Sequence, residues 1–129
     1  MPIIVNQGFF FMITNILIIG GSSQGNELAK ELQKRKILYT ISYAGRIKVK
    51  NSIVFNKRVG GFGGVLKMAR WLRDNKISHV IDASHPFAKR ISYNTYLACN
   101  KNNLPLVRYT RKSWIITNKD NWKTVSSYS

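Results

Sequence analysis

One stretch constrains this chain more than any other. A short Ile-rich run, Asn15–Ile19, passes directly into Gly20-Gly21-Ser22-Ser23-Gln24-Gly25 and then into a helical pattern. A continuous apolar strand is characteristic of a parallel sheet covered by helices on both faces. The glycines let main-chain amides approach a phosphate, and the start of a helix adds partial positive charge. Gly20, Gly21 and Gly25 are not spaced as a strict GxGxxG, so the same residues also suit a plain strand-to-helix turn.

The rest of the chain repeats this alternation. Residues 25–36 read as a helix with Leu28, Ala29 and Leu32 on one face. Strands are expected at 37–43, 53–55, 78–83 and 104–109. Helices are expected at 65–75 and from Pro86 to about residue 102, with Pro86 in the first helical turn. This pattern predicts an α/β fold: a Rossmann-like, doubly wound parallel sheet of about five strands in three layers, ordered 3-2-1-4-5. Ligands of such sheets bind where the order reverses, at the carboxyl ends of strands one and four. The domain is expected to span 15–129. Residues 1–14 are expected to be an N-terminal extension, with Met12 as an alternative start.

Composition narrows the function classes. The chain has 129 residues, enough for one domain with its own core. Its single cysteine, Cys99, allows no internal disulfide and no thiol metal cluster, and reads as a buried structural thiol. It is compatible with a reducing cytoplasm, the expected location. The apolar stretch around Phe9-Phe10-Phe11 is too short and interrupted to span a bilayer, and no basic residue precedes it as in a signal peptide. The formal charge is +16, from 21 basic and 5 acidic residues. Lys34-Arg35-Lys36 and Lys48/Lys50 are short clusters rather than a stripe, so compositional drift explains the excess better than a nucleic-acid-binding module. Such a field still attracts anionic ligands. With only His79 and His85, and no HExxH, no metal site is expected. GxSxG and GxxxxGK[ST] are absent too, which disfavours a serine hydrolase and a P-loop NTPase.

The loops after the strands hold the remaining candidates. Gly20, Gly21, Ser22, Ser23 and Gln24 form the phosphate loop. After strand two, Ser42 and Arg46 stand where an acidic residue would favour NAD, and they suit a 2′-phosphate instead. Gly61, Phe62 and Gly63 belong to a run with four glycines in five residues, which suits the adenine-ribose side of the cofactor, a cover over it, or a plain tight turn. After strand four, Asp82, Ser84 and His85 sit at the switch point. His85 is the one candidate for a catalytic role, and Asp82 either meets cofactor or bonds to its own loop. Arg108 and Arg111, flanking the end of strand five, are candidates for an anionic substrate, with Asn94 a weaker one. Trp114 and Trp122 read as packing residues.

Together these segments resemble one family. The residues 16–22, Ser42-Tyr43-Ala44-Gly45-Arg46, Val59-Gly60-Gly61-Phe62-Gly63-Gly64, 80–88, Ile91-Ser92 with Asn94, Ala98-Cys99, and Pro105 through Arg108, Arg111 and Trp114 are similar to the precorrin-6A reductases of cobalamin biosynthesis, in that family's order and spacing. The resemblance implies an NADPH-dependent oxidoreductase, with NADH as the alternative cofactor, acting on a CH–CH group. It would reduce a ring double bond of precorrin-6A, or of its cobalt form, to give precorrin-6B. It also implies a second domain of similar size that completes the substrate site. The chain is expected to lack that domain, with a separate C-terminal-domain chain as a partner and a truncated, inactive nucleotide-binding relative as the alternative. Gln24 stands where the family's loop usually carries an acidic residue. Gln still forms hydrogen bonds there but lacks the charge.

Overall fold

Five strands line up parallel in the order β3-β2-β1-β4-β5. The computed structural model describes residues 13–45 and 56–110. Its strands are β1 (Asn15–Ile19), β2 (Leu38–Tyr43), β3 (Lys57–Val59), β4 (His79–Asp82) and β5 (Leu106–Arg108). The helices between them are α1 (Ser23–Lys34), α2 (Val65–Asp74) and α3 (Lys89–Asn102).

The apolar character of β1 follows from its place in the middle of the sheet. Successive side chains point to opposite faces. Ile16 and Ile18 join Ala29 and Leu32 of α1 and Tyr39 and Ile41 of β2 in one core. Leu17 and Ile19 join Met68, Ala69 and Leu72 of α2 and Ala98 and Cys99 of α3 in the other. Leu17 and Ile18 are both fully buried, each contributing about 2 kcal/mol. The two cores make the three layers, and the expected fold class and strand order hold.

Several boundaries differ from expectation for identifiable reasons. The expected strand at 53–55 lies outside the described residues. The strand that pairs with β2 is Lys57–Val59, with Ile41, Ser42 and Tyr43 opposite Lys57, Arg58 and Val59. It is an edge strand carrying two basic residues, so it has no apolar run to mark it. Pro86 lies in a turn rather than in the first turn of α3, which starts at Lys89. The turn is closed by the Ala88 amide donating to the His85 carbonyl at 2.8 Å. Helix α1 begins at Ser23, two residues earlier than expected, because Ser22 caps it. The helix ends at Lys36 and Lys76 are left-handed residues (φ 58° and 52°) that let the chain turn back into the next strand.

Candidate functional site

At the centre of the sheet, α1 crosses one face after β1 while α3 crosses the other after β4. The loops therefore part at the carboxyl ends of these adjacent strands and leave a crevice. Gly21 turns the chain there at φ +128°, a conformation that side chains rarely adopt. A Cβ on Gly21 would lie 3.6 Å from the His85 amide nitrogen, so the two loops face each other closely. Gly25 lets α1 approach β4; an added Cβ would meet that of Ala83 at 3.3 Å. The Ser22 hydroxyl spans the gap beneath them. It donates to the Ala83 carbonyl and accepts from the Gly25 amide at 3.3 Å. Among the described residues no partner is recorded for the Ser23 and Gln24 amides. These are the open first-turn donors on which an anion can sit.

A cleft of about 280 Å³ lies above this floor. Gly20 and Gly21 line it on one side, Ser84, His85, Ala88 and Ile91 on another, and Ser42, Tyr43, Gly60, Gly61 and Phe62 on a third. A larger hollow of about 490 Å³ opens at the amino ends of the strands, lined by Ile13, Leu38, Ile77 and Leu104. It is not lined by the glycine turns or the first turn of α1, so the smaller cleft is the candidate site.

The loop after β4 is held from below. Asp82 has a side chain 3% exposed and accepts four bonds. Its Oδ1 takes the Ser84 amide at 3.0 Å and the Ser84 hydroxyl at 2.6 Å. Its Oδ2 takes the Ser92 hydroxyl at 2.7 Å and the Arg108 guanidinium at 2.7 Å. Arg108 also donates to the Ser84 and Ser92 hydroxyls at 3.3 Å and 3.1 Å. His85 above this network is exposed. Its Nδ1 accepts the Phe87 amide at 3.1 Å, so in the neutral ring the proton is on Nε2. His79 lies at the opposite end of β4 beside the Ser78 hydroxyl, 2.7 Å away.

The family model for precorrin-6x reductase CbiJ/CobK matches residues 15–129. The chain belongs to this family. Curated reductases similar to it include the precorrin-6A reductase of Rhodobacter capsulatus, 36% identical over 113 residues, 88% of this chain and 45% of that protein. The precorrin-6A reductase of a Sinorhizobium species is 37% identical, over 87% of this chain and 43% of that one. The cobalt-precorrin-6A reductase of Salmonella typhimurium is 32% identical, over 75% and 37%. The solved structure of a CobK precorrin-6A reductase superposes with a TM-score of 0.76 at 36% identity, covering 81% of this chain and 42% of that one. The chain thus spans less than half the length of these reductases.

The expected site residues divide into groups. Gly20, Gly21, Ser42, Gly61, Phe62, Ser84 and His85 come together around the cleft. Ser22, Ser23 and Gln24 form the cap and first turn of α1 beside it. Gly63 packs against Lys67. Asp82 lies beneath the cleft and is bonded to its own loop, and Arg108 is tied to Asp82. Asn94 is half-buried on α3. Arg46, Arg111, Trp114 and Trp122 lie outside the described residues. Among the described residues, no group of His, Cys, Asp and Glu is placed to hold a metal ion. No helix among them is long and apolar enough to cross a membrane.

Two contributors are not among the expected site residues. Ser92, noted only as part of the family pattern, is one. Arg58 of β3 is the other: it donates to the Ser42 hydroxyl at 2.9 Å and to the Gly60 and Gly61 carbonyls at 3.0 Å and 3.4 Å. Its guanidinium lies 3.8 Å from the centre of the Phe62 ring, with Trp71 edge-on to Phe62. Burial lowers the pKa of this arginine. The one available sequence signal was its position two residues before the glycine run.

Proposed function

We propose that this chain forms the dinucleotide-binding half of a precorrin-6A reductase and holds NADPH. The observation that carries this reading is the meeting of the Gly20–Gly21 turn with the Ser84–His85 loop across one cleft at the switch point. The residues fit such a cofactor. Open amides at Ser23 and Gln24 suit its pyrophosphate, and Gly21 would lose its turn if it carried a Cβ. Ser42 and Arg46 are the residues for the ribose 2′-phosphate.

When bound, reduced nicotinamide supplies a hydride. Reduction of one C=C bond of precorrin-6A to precorrin-6B takes that hydride on one carbon and a proton on the other. The Phe87 amide engages Nδ1 of His85, which leaves Nε2 as the ring nitrogen for proton transfer and makes this side chain the candidate donor. The Asp82 network holds the loop that carries His85. The +16 charge favours a polycarboxylate substrate, metal-free or cobalt-bound. In this reading the remaining length of the relatives, on this polypeptide or a separate chain, completes the macrocycle site. The reaction belongs to the cytoplasm.

A thermal-shift titration tests the proposal. NADPH is expected to raise Tm more than NADH does at equal concentration. No shift with either nucleotide at millimolar concentration would refute it. Turnover of precorrin-6A that appears when a C-terminal-half chain is added separates an active enzyme from a relative that only binds nucleotide.

A further inference from the structure

The Gly60–Phe62 segment faces the cleft, while Arg58 stands behind it and is absent from the cleft lining. This arrangement fixes the direction of the backbone. In a trans peptide the carbonyl and the following amide point opposite ways, and no cis peptide occurs among the described residues. The Gly60 carbonyl is held by Arg58, so the Gly61 amide points away from Arg58. The Gly61 carbonyl is held too, so the Phe62 amide does likewise. Neither amide has a recorded partner among the described residues, whereas the Gly60 amide is used by the Tyr43 carbonyl at 2.8 Å. The Phe62 ring lies over the guanidinium and closes off the back of the loop.

Two successive amides without a partner among the described residues, with a positive charge behind their carbonyls, make an anion seat. We infer that Arg58 builds a second phosphate-binding wall from the Gly61 and Phe62 amides, separate from the first-turn amides of α1. This rests on the nucleotide reading above and sharpens it. One nucleotide meets two phosphate seats, and the one at the ends of β2 and β3 takes a phosphate monoester on the adenosine ribose. Arg58 is thus a positioning residue for cofactor choice. It acts through the loop it holds.

Adenosine 2′,5′-bisphosphate and 5′-AMP differ only in the 2′-phosphate, and their affinity ratio on the whole chain isolates the seat. The wild type is expected to prefer the bisphosphate. Arg58→Gln releases both carbonyls and is expected to cut that preference about 10- to 100-fold, with Arg58→Lys between the two. Gly61→Pro removes one amide and leaves Arg58 in place, with an expected loss of about 10-fold. Gly61→Ala keeps the amide, and its Cβ meets nothing within 4 Å, so its preference stays within about 3-fold of wild type. Should Arg58→Gln fail to fold, the Gly61 pair decides alone. An equal weakening of both probes in Arg58→Gln or Gly61→Pro, or an unchanged ratio, overturns the inference. Wild-type binding of 5′-AMP with no preference overturns it too, but spares the nucleotide reading. Wild-type binding of neither probe overturns both.

Discussion

Asp82→Asn is the most informative single change, because the geometry fixes what it removes. The carboxylate is nearly isosteric with the amide, so no cavity forms. Both Asp82 oxygens accept two donors each. An amide has one oxygen, and its NH₂ group must face donors on the other side. With the oxygen kept toward Ser84, that NH₂ opposes the Arg108 guanidinium at a place where 2.7 Å separated opposite charges. Breaking a fully buried ion pair costs about 3–5 kcal/mol. Arg108 is 36% exposed, so water recovers part of its charge, and about 2–3 kcal/mol is the expected loss. At this chain length that lowers Tm by about 8–12 °C. Ser92→Ala removes one donor and should cost about 1 kcal/mol. Urea or thermal unfolding of Asp82→Asn, Arg108→Met and the double variant forms a cycle. A coupling of about 1–2 kcal/mol is expected from a direct contact. A loss under about 0.5 kcal/mol for Asp82→Asn, with no coupling, would mean that this network does not hold the loop.

Three further outcomes follow from local features. Gly21→Ala forces a side chain into φ +128°, and is expected to cost about 1–3 kcal/mol and to abolish the NADPH-induced shift in Tm, read in one thermal-shift series. Lys36→Gly relieves a left-handed residue at φ 58°, and should raise stability by about 0.5–1 kcal/mol in denaturant melts. Burial, and then the nearby Asp82 charge, push the Cys99 thiol up to about 11. The folded chain should therefore resist alkylation at pH 8 while the unfolded chain reacts within the same assay. Because the folded thiol holds its proton longer than the unfolded one, stability falls as pH rises from about 9 to about 11. A Cys99→Ala variant should lack that component of the slope.

The parts of the fold that the sequence disclosed are those where burial is two-sided. Ile16–Ile19 has to be apolar at every position because each face of β1 meets a different helix layer. The same condition marks Val80 of β4 and the turn that follows it. Strand β3 does not meet this condition. Its residues are exposed or half-buried, and Lys57 and Arg58 read as solvated charges until the pairing with Ile41 and Ser42 is seen. The site follows the same rule. Glycines at Gly20 and Gly21 announce themselves by type, and His85 by rarity. Arg58 is one of 21 basic residues, and only the register of edge strand β3 on β2 puts it beside Ser42. Asp82 was recognised, but its partners on α3 and β5 lie 10 and 26 positions away. No short-range pattern links an aspartate to a serine or arginine at those separations.

The bond between Asp82 and the last residue of β5 has a mechanical side. Arg108 grips the carboxylate, and the next amide, Tyr109, donates to the Asp82 carbonyl at 2.9 Å. Strand five is thereby fastened at two points to the segment that presents His85. Packed, hydrogen-bonded joints shift between discrete arrangements instead of stretching. A pull of an ångström on the end of β5 would thus be felt at the mouth of the cleft, through a carboxylate and one peptide group. Any body that leans on that strand end works a lever on the loop after β4 without entering the cleft.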